Sequence, residues 1–208
     1  MDRSEIDLVF DVGANRGQYA EALRENGYRG RIVSFEPLSE PLHELEHRAS
    51  SDNAWECRQI ALGDEATTAT MNVSKMTETS SFLKMKDWFS SEFPPAACVG
   101  EEDVTIVPLD SLSGELRSTN DRAMLKLDVQ GYEDRVLKSA VDTLPEISLL
   151  ECELSLEALY DGESLIGEML STLELAGFAP LSLEPTGYLP PSGHVPQVNG
   201  IFVNRRLA

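Results

Sequence analysis

The sequence predicts an α/β fold, a doubly wound sheet of mostly parallel strands, and three observations predict it. Apolar runs of strand length alternate with segments of helical periodicity. The first such run, Leu8-Val-Phe10, ends at Asp11 in a glycine-rich turn that feeds a helix. The chain has 208 residues, 41% of them hydrophobic, which suits one domain spanning 1–208 with a core of its own.

Each element follows from local pattern. Tyr19, Ala20 and Leu23 recur at helical spacing up to Asn26-Gly27, so strand, tight turn and helix succeed one another. Ile32 to Phe35 form a second strand ending at Glu36-Pro37, and Leu38, Leu42, Leu45 and Ala49 mark the helix after it. A third strand is expected from Trp55 to Leu62, stopped by Gly63-Asp64. Met124 to Asp128 and Ile147 to Glu151 read as buried strands separated by a helix from Glu133 to Val141. A helix over Leu165 to Ala176 stops at Gly177, and strands near Ala179 to Leu183 and Val198 to Asn204 close the chain. Alternation of this kind argues for a parallel sheet covered on both faces.

An insertion of roughly residues 66–120 separates the third and fourth core strands. Thr68, Thr70 and Asn72 alternate with Ala69, Met71 and Val73, which suggests a hairpin, and Val104 to Leu109 suggest a further strand. The stretch from Thr77 to Gly100, with Trp88, Phe89, Phe93 and Pro94-Pro95, is too long for a plain connection and reads as a lid or substrate wall. A second irregular stretch, Glu184 to Asn199, carries four prolines and His194.

Charge narrows the function. Seventeen Lys plus Arg face 36 Asp plus Glu, a formal charge of −19, and such a surface repels nucleic-acid backbones and anionic lipid. The expected partner is therefore a small molecule, with neither nucleic acid nor membrane, although assembly with further copies of the chain stays open. Lysine is scarce, and an acidic, lysine-poor surface is what a salt-adapted cytoplasm would select. The polar start at Met1 to Asp7, the lack of an apolar run of membrane length and the odd, scattered Cys57, Cys98 and Cys152 point to a cytoplasmic protein with reduced thiols.

The chemistry concentrates in two places. Asp11-Val-Gly13-Ala14-Asn15-Arg-Gly17 stands where a strand meets a helix, the position at which doubly wound sheets bind nucleotides. It reads G-x-N-x-G where a dinucleotide site would read G-x-G-x-x-G. Nineteen residues past Gly17, Glu36 closes the second strand, where a carboxylate accepts hydrogen bonds from ribose hydroxyls. The second place is Lys126-Leu-Asp128, whose alternate spacing projects both charges from one face of a strand. Glu151 and Glu153 repeat that spacing on the next strand, and a lysine so placed needs a carboxylate partner.

Phe10-Asp-Val-Gly-Ala-Asn-Arg-Gly17, Ser34-Phe-Glu-Pro37, Thr79-Ser-Ser81, Pro108-Leu-Asp110, Leu125-Lys-Leu-Asp-Val-Gln-Gly-Tyr-Glu-Asp-Arg-Val-Leu137 and Gln197-Val-Asn-Gly-Ile-Phe-Val203 together resemble the FkbM family of S-adenosylmethionine-dependent methyltransferases. The resemblance runs from the first strand to the last and implies a seven-stranded class I methyltransferase sheet whose last strand is antiparallel. It implies O-methylation of a small molecule, a sugar or a natural-product intermediate. On this resemblance Asp11, Gly13, Ala14, Asn15 and Gly17 would cradle the methionine part and ribose, with Glu36 and Pro37 at the ribose and Leu62 and Asp64 near the adenine. Arg16 is a candidate for the cofactor carboxylate. Asn199 departs from the family, whose members often carry Asp there.

For the transfer step, Asp128 and His194 are the candidate bases and Lys126 the ion-pair partner. Asp128 could instead contact the cofactor. Mg²⁺ on Asp128 with Glu151 or Glu153 is conceivable, though the spacing does not demand it. His43 and His47, four apart, lack a third ligand and read as a solvated helix face. The competing readings are a nicotinamide-dependent oxidoreductase and a cofactor-binding module without catalysis.

Overall fold

A computed structural model describes residues 6–118, 120–186, 193 and 195–207. His194 lies outside the described residues. Seven strands form the main sheet in the order β3-β2-β1-β7-β8-β10-β9: β1 (Leu8–Val12), β2 (Arg31–Phe35), β3 (Trp55–Arg58), β7 (Ala123–Leu127), β8 (Ile147–Ser155), β9 (Phe178–Pro185) and β10 (Gln197–Asn204). Strands β1, β2, β3, β7 and β8 are parallel, and β10 runs antiparallel between β8 and β9. This is the doubly wound sheet the alternation predicts, with the reversed last strand that the family resemblance implies.

The period-two alternation of each central strand sends its side chains to two different cores. Phe10, Leu125 and Leu150 pack with Leu116, Val136, Met169 and Leu173, which belong to α4 (Asp110–Leu116), α5 (Glu133–Lys138) and α6 (Ile166–Ala176). Val9, Ile32, Met124 and Leu149 pack on the other face against Ala20, Leu42 and Leu45 of α1 (Gln18–Glu25) and α2 (Ser39–Ala49). Each fully buried Phe or Leu contributes about 1.5–3 kcal/mol relative to exposure, so these layers hold the sheet edges in fixed register. On the α1/α2 face the apolar residues give way, two positions on, to Asp11, Ser34 and Lys126 near the carboxyl ends of their strands and to Glu151 midway along β8. That replacement positions the site.

The expected third strand from Trp55 to Leu62 is divided in the structure. After Arg58, whose carbonyl accepts the Glu36 N–H, the chain leaves the main sheet, and β4 (Ala61–Leu62) joins a separate sheet of order β4-β6-β5. In that sheet β5 (Thr67–Ser74) pairs antiparallel with β6 (Cys98–Val107). The alternating stretch is thus a strand, but its partner lies beyond the intervening segment 75–97. Strand β6 stops before Pro108, which has no N–H to donate, rather than running from Val104 to Leu109. The helix expected to reach Val141 ends at Lys138, with Ser139 as its cap.

Residues 83–97, including α3 (Asp87–Glu92), form a small apolar cluster on the loop that follows β8. Phe89 and Ala96, with Leu83, Met85, Trp88 and Phe93, pack onto Leu159 and Tyr160, and the Trp88 indole donates to the Ala158 carbonyl at 3.1 Å.

Candidate active site

The turn after β1 is held by the backbone. Gly13 N–H and Ala14 N–H donate to the Phe35 carbonyl at 3.1 and 3.0 Å, and Gly17 N–H donates to the Ala14 carbonyl at 2.8 Å. Gly13 has φ +76°, and a Cβ there would lie 1.8 Å from the Asp128 carbonyl oxygen, so only glycine lets the two sheet-edge loops meet. Gly17 has φ +88° and lies so close to Leu45 and Trp55 that a Cβ would stand 2.9–3.1 Å from their side chains. The turn and the second helix are thereby packed against each other.

Glu36 closes the turn from the next strand. Its Oε2 accepts the Asn15 N–H and its Oε1 the Leu38 N–H, both at 2.8 Å. Burial pushes its carboxyl up to about 7, against the pull of those backbone donors and of Lys126. Each oxygen keeps a second lone pair for a ligand hydroxyl.

Lys126 joins the two sheet-edge loops. It is 7% exposed, and its Nζ lies 3.1 Å from the Gly13 carbonyl, 3.3 Å from Asp11 Oδ1 and 3.5 Å from Asp128 Oδ2. Asp11 and Lys126 face each other in the β1/β7 register, so the pairing is built into the sheet. Asp11, wholly buried, also accepts from Ser34 Oγ at 3.0 Å, and the Trp55 indole donates to that hydroxyl at 3.0 Å. Burial works against the Lys126 charge, but Asp128 and Asp11 outweigh it and hold the ammonium above its ordinary range. The Tyr19 ring lies 5.4 Å from the ammonium, and its hydroxyl donates to Glu151 Oε2 at 2.8 Å.

A cavity of about 420 Å³ opens over these strand ends, within the range of small-molecule sites. Gly13, Ala14, Asn15, Glu36, Pro37, Leu62, Lys126 and Asp128 all line it, and so do Ile60, Phe82 and Tyr132 on the apolar side and Thr77, Glu78 and Ser80 from the insertion. Phe82 and Tyr132 stack at 4.9 Å between ring centroids. Asp11 sits behind the turn as the buried counter-ion of Lys126, and Gly17 beneath it at the start of α1. Asp64 pairs with Arg135 at 2.9 Å and is not part of the lining. Arg16 is held by Glu40 and Glu44, both at 2.7 Å, on the outside of α2.

Sequence reasoning left several site residues without a role. Gln130, with φ +56°, donates to Asp128 Oδ1 at 2.8 Å and to Glu153 Oε2 at 3.0 Å. The Tyr160 hydroxyl stands 2.9 Å from both Gln130 Oε1 and the Thr79 carbonyl, tying the insertion to the sheet edge. Glu133, pushed up to about 7 by burial, accepts the Val129 N–H at 2.9 Å and holds the loop. Gln130 and Glu133 fall inside the long motif around Asp128, which was a usable signal. Nothing in sequence spacing links Tyr160 to them. Glu153 is raised well above the ordinary carboxylate range by burial and by the nearby Asp128 and Glu133 charges. His43 and His47 are exposed, and among the described residues no group of three or more His, Cys, Asp or Glu is arranged to hold a metal ion. No helix of the described residues is long and apolar enough to cross a membrane.

Residues 11–180 match the model of the methyltransferase FkbM domain. No curated protein matches the sequence. Among solved structures, the fold is similar to magnesium protoporphyrin IX methyltransferase (ChlM) from Synechocystis PCC 6803 with bound SAM, at TM-score 0.54 and 10% identity over 97% of this chain and 72% of that one. Fibrillarin from Aeropyrum pernix, in complex with natively bound S-adenosyl-L-methionine, aligns at TM-score 0.53 and 12% identity over 96% and 67%. A putative S-adenosylmethionine-dependent methyltransferase from Listeria monocytogenes aligns at TM-score 0.53 and 9% identity over 99% and 94%. At such identities the likeness is one of fold.

Proposed function

The chain belongs to the FkbM family of S-adenosylmethionine-dependent methyltransferases, and on that premise we propose that it methylates a hydroxyl group of a small molecule, a sugar or a natural-product intermediate. Family membership sets aside the nicotinamide reading. The formal charge of −19 supports a small acceptor over a nucleic acid or a membrane surface.

The residues present fit the cofactor. The contact between Gly13 and the Asp128 carbonyl leaves no room for a side chain, and Glu36 holds two oxygens with spare lone pairs at the cavity wall. Gly13, Ala14, Asn15, Glu36 and Pro37 would hold the amino-acid and ribose portions, and Ile60, Leu62, Phe82 and Tyr132 the adenine. When bound, S-adenosylmethionine supplies a methyl group on a sulfonium, open to in-line attack by an oxygen nucleophile.

The chain's own part is to place that oxygen and take its proton. One observation carries the assignment: Asp128 lines the cavity at the sheet edge, its Oδ2 facing the Lys126 ammonium and its Oδ1 fixed by Gln130. The ammonium and the amide, one on each oxygen, set the direction of the carboxylate. With both oxygens tethered, Asp128 accepts the hydroxyl proton without reorganising. Lys126 acts through Asp128 and is a positioning residue.

The Asp128→Asn variant tests this. Turnover, followed as S-adenosylhomocysteine release over a panel of hydroxylated acceptors, should fall by about 10²- to 10⁴-fold, the usual worth of a positioned base. Affinity for S-adenosylhomocysteine, measured by calorimetry, should change little. Wild-type turnover that survives the substitution removes Asp128 as the base, and a product methylated on nitrogen or carbon overturns the hydroxyl reading.

A further inference from the structure

Glu78 lines the cavity and has no part in the placing of the acceptor oxygen. It belongs to the short turn Thr77–Thr79 of the insertion, which two neighbouring side chains pin to the start of α1 and the glycine turn. The Asn15 amide donates to Thr77 Oγ1 at 3.0 Å, and Gln18 Nε2 lies 3.1 Å from Glu78 Oε1 and 3.3 Å from Asn15 Oδ1. A single amide group therefore links the Glu78 carboxylate to a residue that would hold the amino-acid portion of the cofactor. Behind the turn, the Thr79 carbonyl accepts from Tyr160 at 2.9 Å and from Ser74 Oγ at 3.1 Å, and Ser80 Oγ accepts the Ser74 N–H at 3.0 Å. The carboxylate is presented from a fixed support.

The amino-acid portion of S-adenosylmethionine carries an ammonium, a group of three donors that needs acceptors when it leaves water. The acceptors of the glycine turn are already engaged. Asp11 accepts from Ser34 and faces Lys126, the Gly13 carbonyl lies against Lys126, the Ala14 carbonyl accepts from Gly17, and Asn15 Oδ1 accepts the Arg16 N–H. Among the described residues lining the cavity the acids are Glu36, Glu78 and Asp128. Both oxygens of Glu36 hold backbone N–H groups and both oxygens of Asp128 are tethered, whereas only Gln18 donates to Glu78, on Oε1, and no donor among the described residues reaches its Oε2. Charge points the same way. Lys126 is the only cation among those lining residues, and Asp11 and Asp128 compensate it, so Glu78 is an acid of the cavity with no basic partner in it. The Gln18 amide orients Glu78 without neutralising it.

We propose that Glu78, steadied by Gln18, binds the α-ammonium of S-adenosylmethionine, so that the insertion supplies a cofactor ligand as well as part of the cavity wall. This rests on the cofactor placement given above and adds to it a residue that lies outside the strand-end turns. The bound cofactor then joins the glycine turn to the insertion.

The test is a cycle between protein and ligand, read by calorimetry on the full chain with no acceptor present. S-adenosylhomocysteine is compared with its desamino analogue, in which a hydrogen replaces the amino group and the carboxylate is kept. The wild type should bind S-adenosylhomocysteine at least about tenfold more tightly than the analogue, the worth of a hydrogen bond to a charged group. In Glu78→Gln and Glu78→Ala most of that advantage should disappear, because affinity for S-adenosylhomocysteine falls while affinity for the analogue stays as it was or rises, its carboxylate no longer meeting a like charge. The circular dichroism spectrum should be retained. A wild type indifferent to the amino group overturns the proposal, and so does an advantage that survives both substitutions. A substitution that weakens both ligands equally overturns it as well, since that is the effect of a clip that merely holds the insertion to α1. These results leave the rest of the cofactor placement standing, whereas a wild type that binds neither ligand overturns the placement together with this contact.

Discussion

The two halves of the cavity are built from different materials. On the side of β1 and β2 the wall is backbone: the Gly13 to Gly17 turn, two amides capping Glu36, and a glycine so tightly placed that a carbonyl occupies the space of its side chain. On the side of β7 and β8 the wall is made by side chains, Asp128 and Gln130, backed by a network through Tyr160, Glu153 and Gln197 that is drawn from segments far apart in the chain. A backbone wall offers one geometry to an invariant ligand, whereas a side-chain wall can be changed residue by residue while the fold stays as it is. The difference suits an enzyme with a fixed cofactor and a particular acceptor.

Three substitutions probe this division, in falling order of effect. Lys126→Met strikes the joint between the halves, because it leaves Asp11, wholly buried, beside Asp128 with no counter-ion. Removing one partner of a buried pair costs about 3–5 kcal/mol, and chemical denaturation should show that loss, partly recovered by adding Asp11→Asn. A fall much smaller than this would mean that the two halves are held independently.

Glu36→Gln strikes the backbone side alone. Cofactor affinity should drop by about 1–3 kcal/mol through lost hydrogen bonds. The wild type should also show a pH signature that the variant lacks. Burial lifts the Glu36 carboxyl to about 7, above its ordinary value, so the folded protein without ligand holds a proton that the unfolded chain has released. That contribution to stability is present at low pH and is lost as pH rises from the ordinary carboxylate range towards about 7. Ribose hydroxyls favour the ionised form, so S-adenosylhomocysteine should bind more tightly as pH rises to about 7 and level off above it. Calorimetry in buffers of different ionisation enthalpy should detect the proton released.

Tyr160→Phe touches only the side-chain wall. Losing the hydroxyl between Gln130 and the Thr79 carbonyl should cost about 1 kcal/mol of stability, raise the acceptor KM and leave S-adenosylhomocysteine affinity as it was. A matching loss of cofactor affinity would merge the two halves into one unit.

The same division sorts what was legible in the sequence. The backbone half declares itself, since a glycine turn, a strand-ending acid and their separation are local facts, and Gly13, Asn15 and Glu36 all line the cavity. Lys126 was legible for another reason, because a lysine in an apolar strand demands a partner and the register of β1 with β7 supplies Asp11. The side-chain half was legible only as far as its motif extends. Asp128 could be singled out, but the Tyr160 latch depends on how residues 83–97 fold over the 157–163 loop, a tertiary fact with no period or spacing to announce it. The division of the third strand had a similar cause, for Trp55 to Leu62 is continuous in pattern, and a partner as distant as β6 draws Ala61–Leu62 away.

The molecule contains two tryptophans, and the fold places one against each half. The Trp55 indole touches the Gly17 turn and donates through Ser34 to the Asp11 that faces Lys126. Trp88 packs in the cluster with Leu159 and Tyr160, behind the side-chain half, and donates to the Ala158 carbonyl. Intrinsic fluorescence is therefore a two-channel readout that needs no label. With Trp88→Phe the emission reports cofactor loading, with Trp55→Phe it reports rearrangement of the wall, and stopped-flow traces of the two would give the order in which the halves respond.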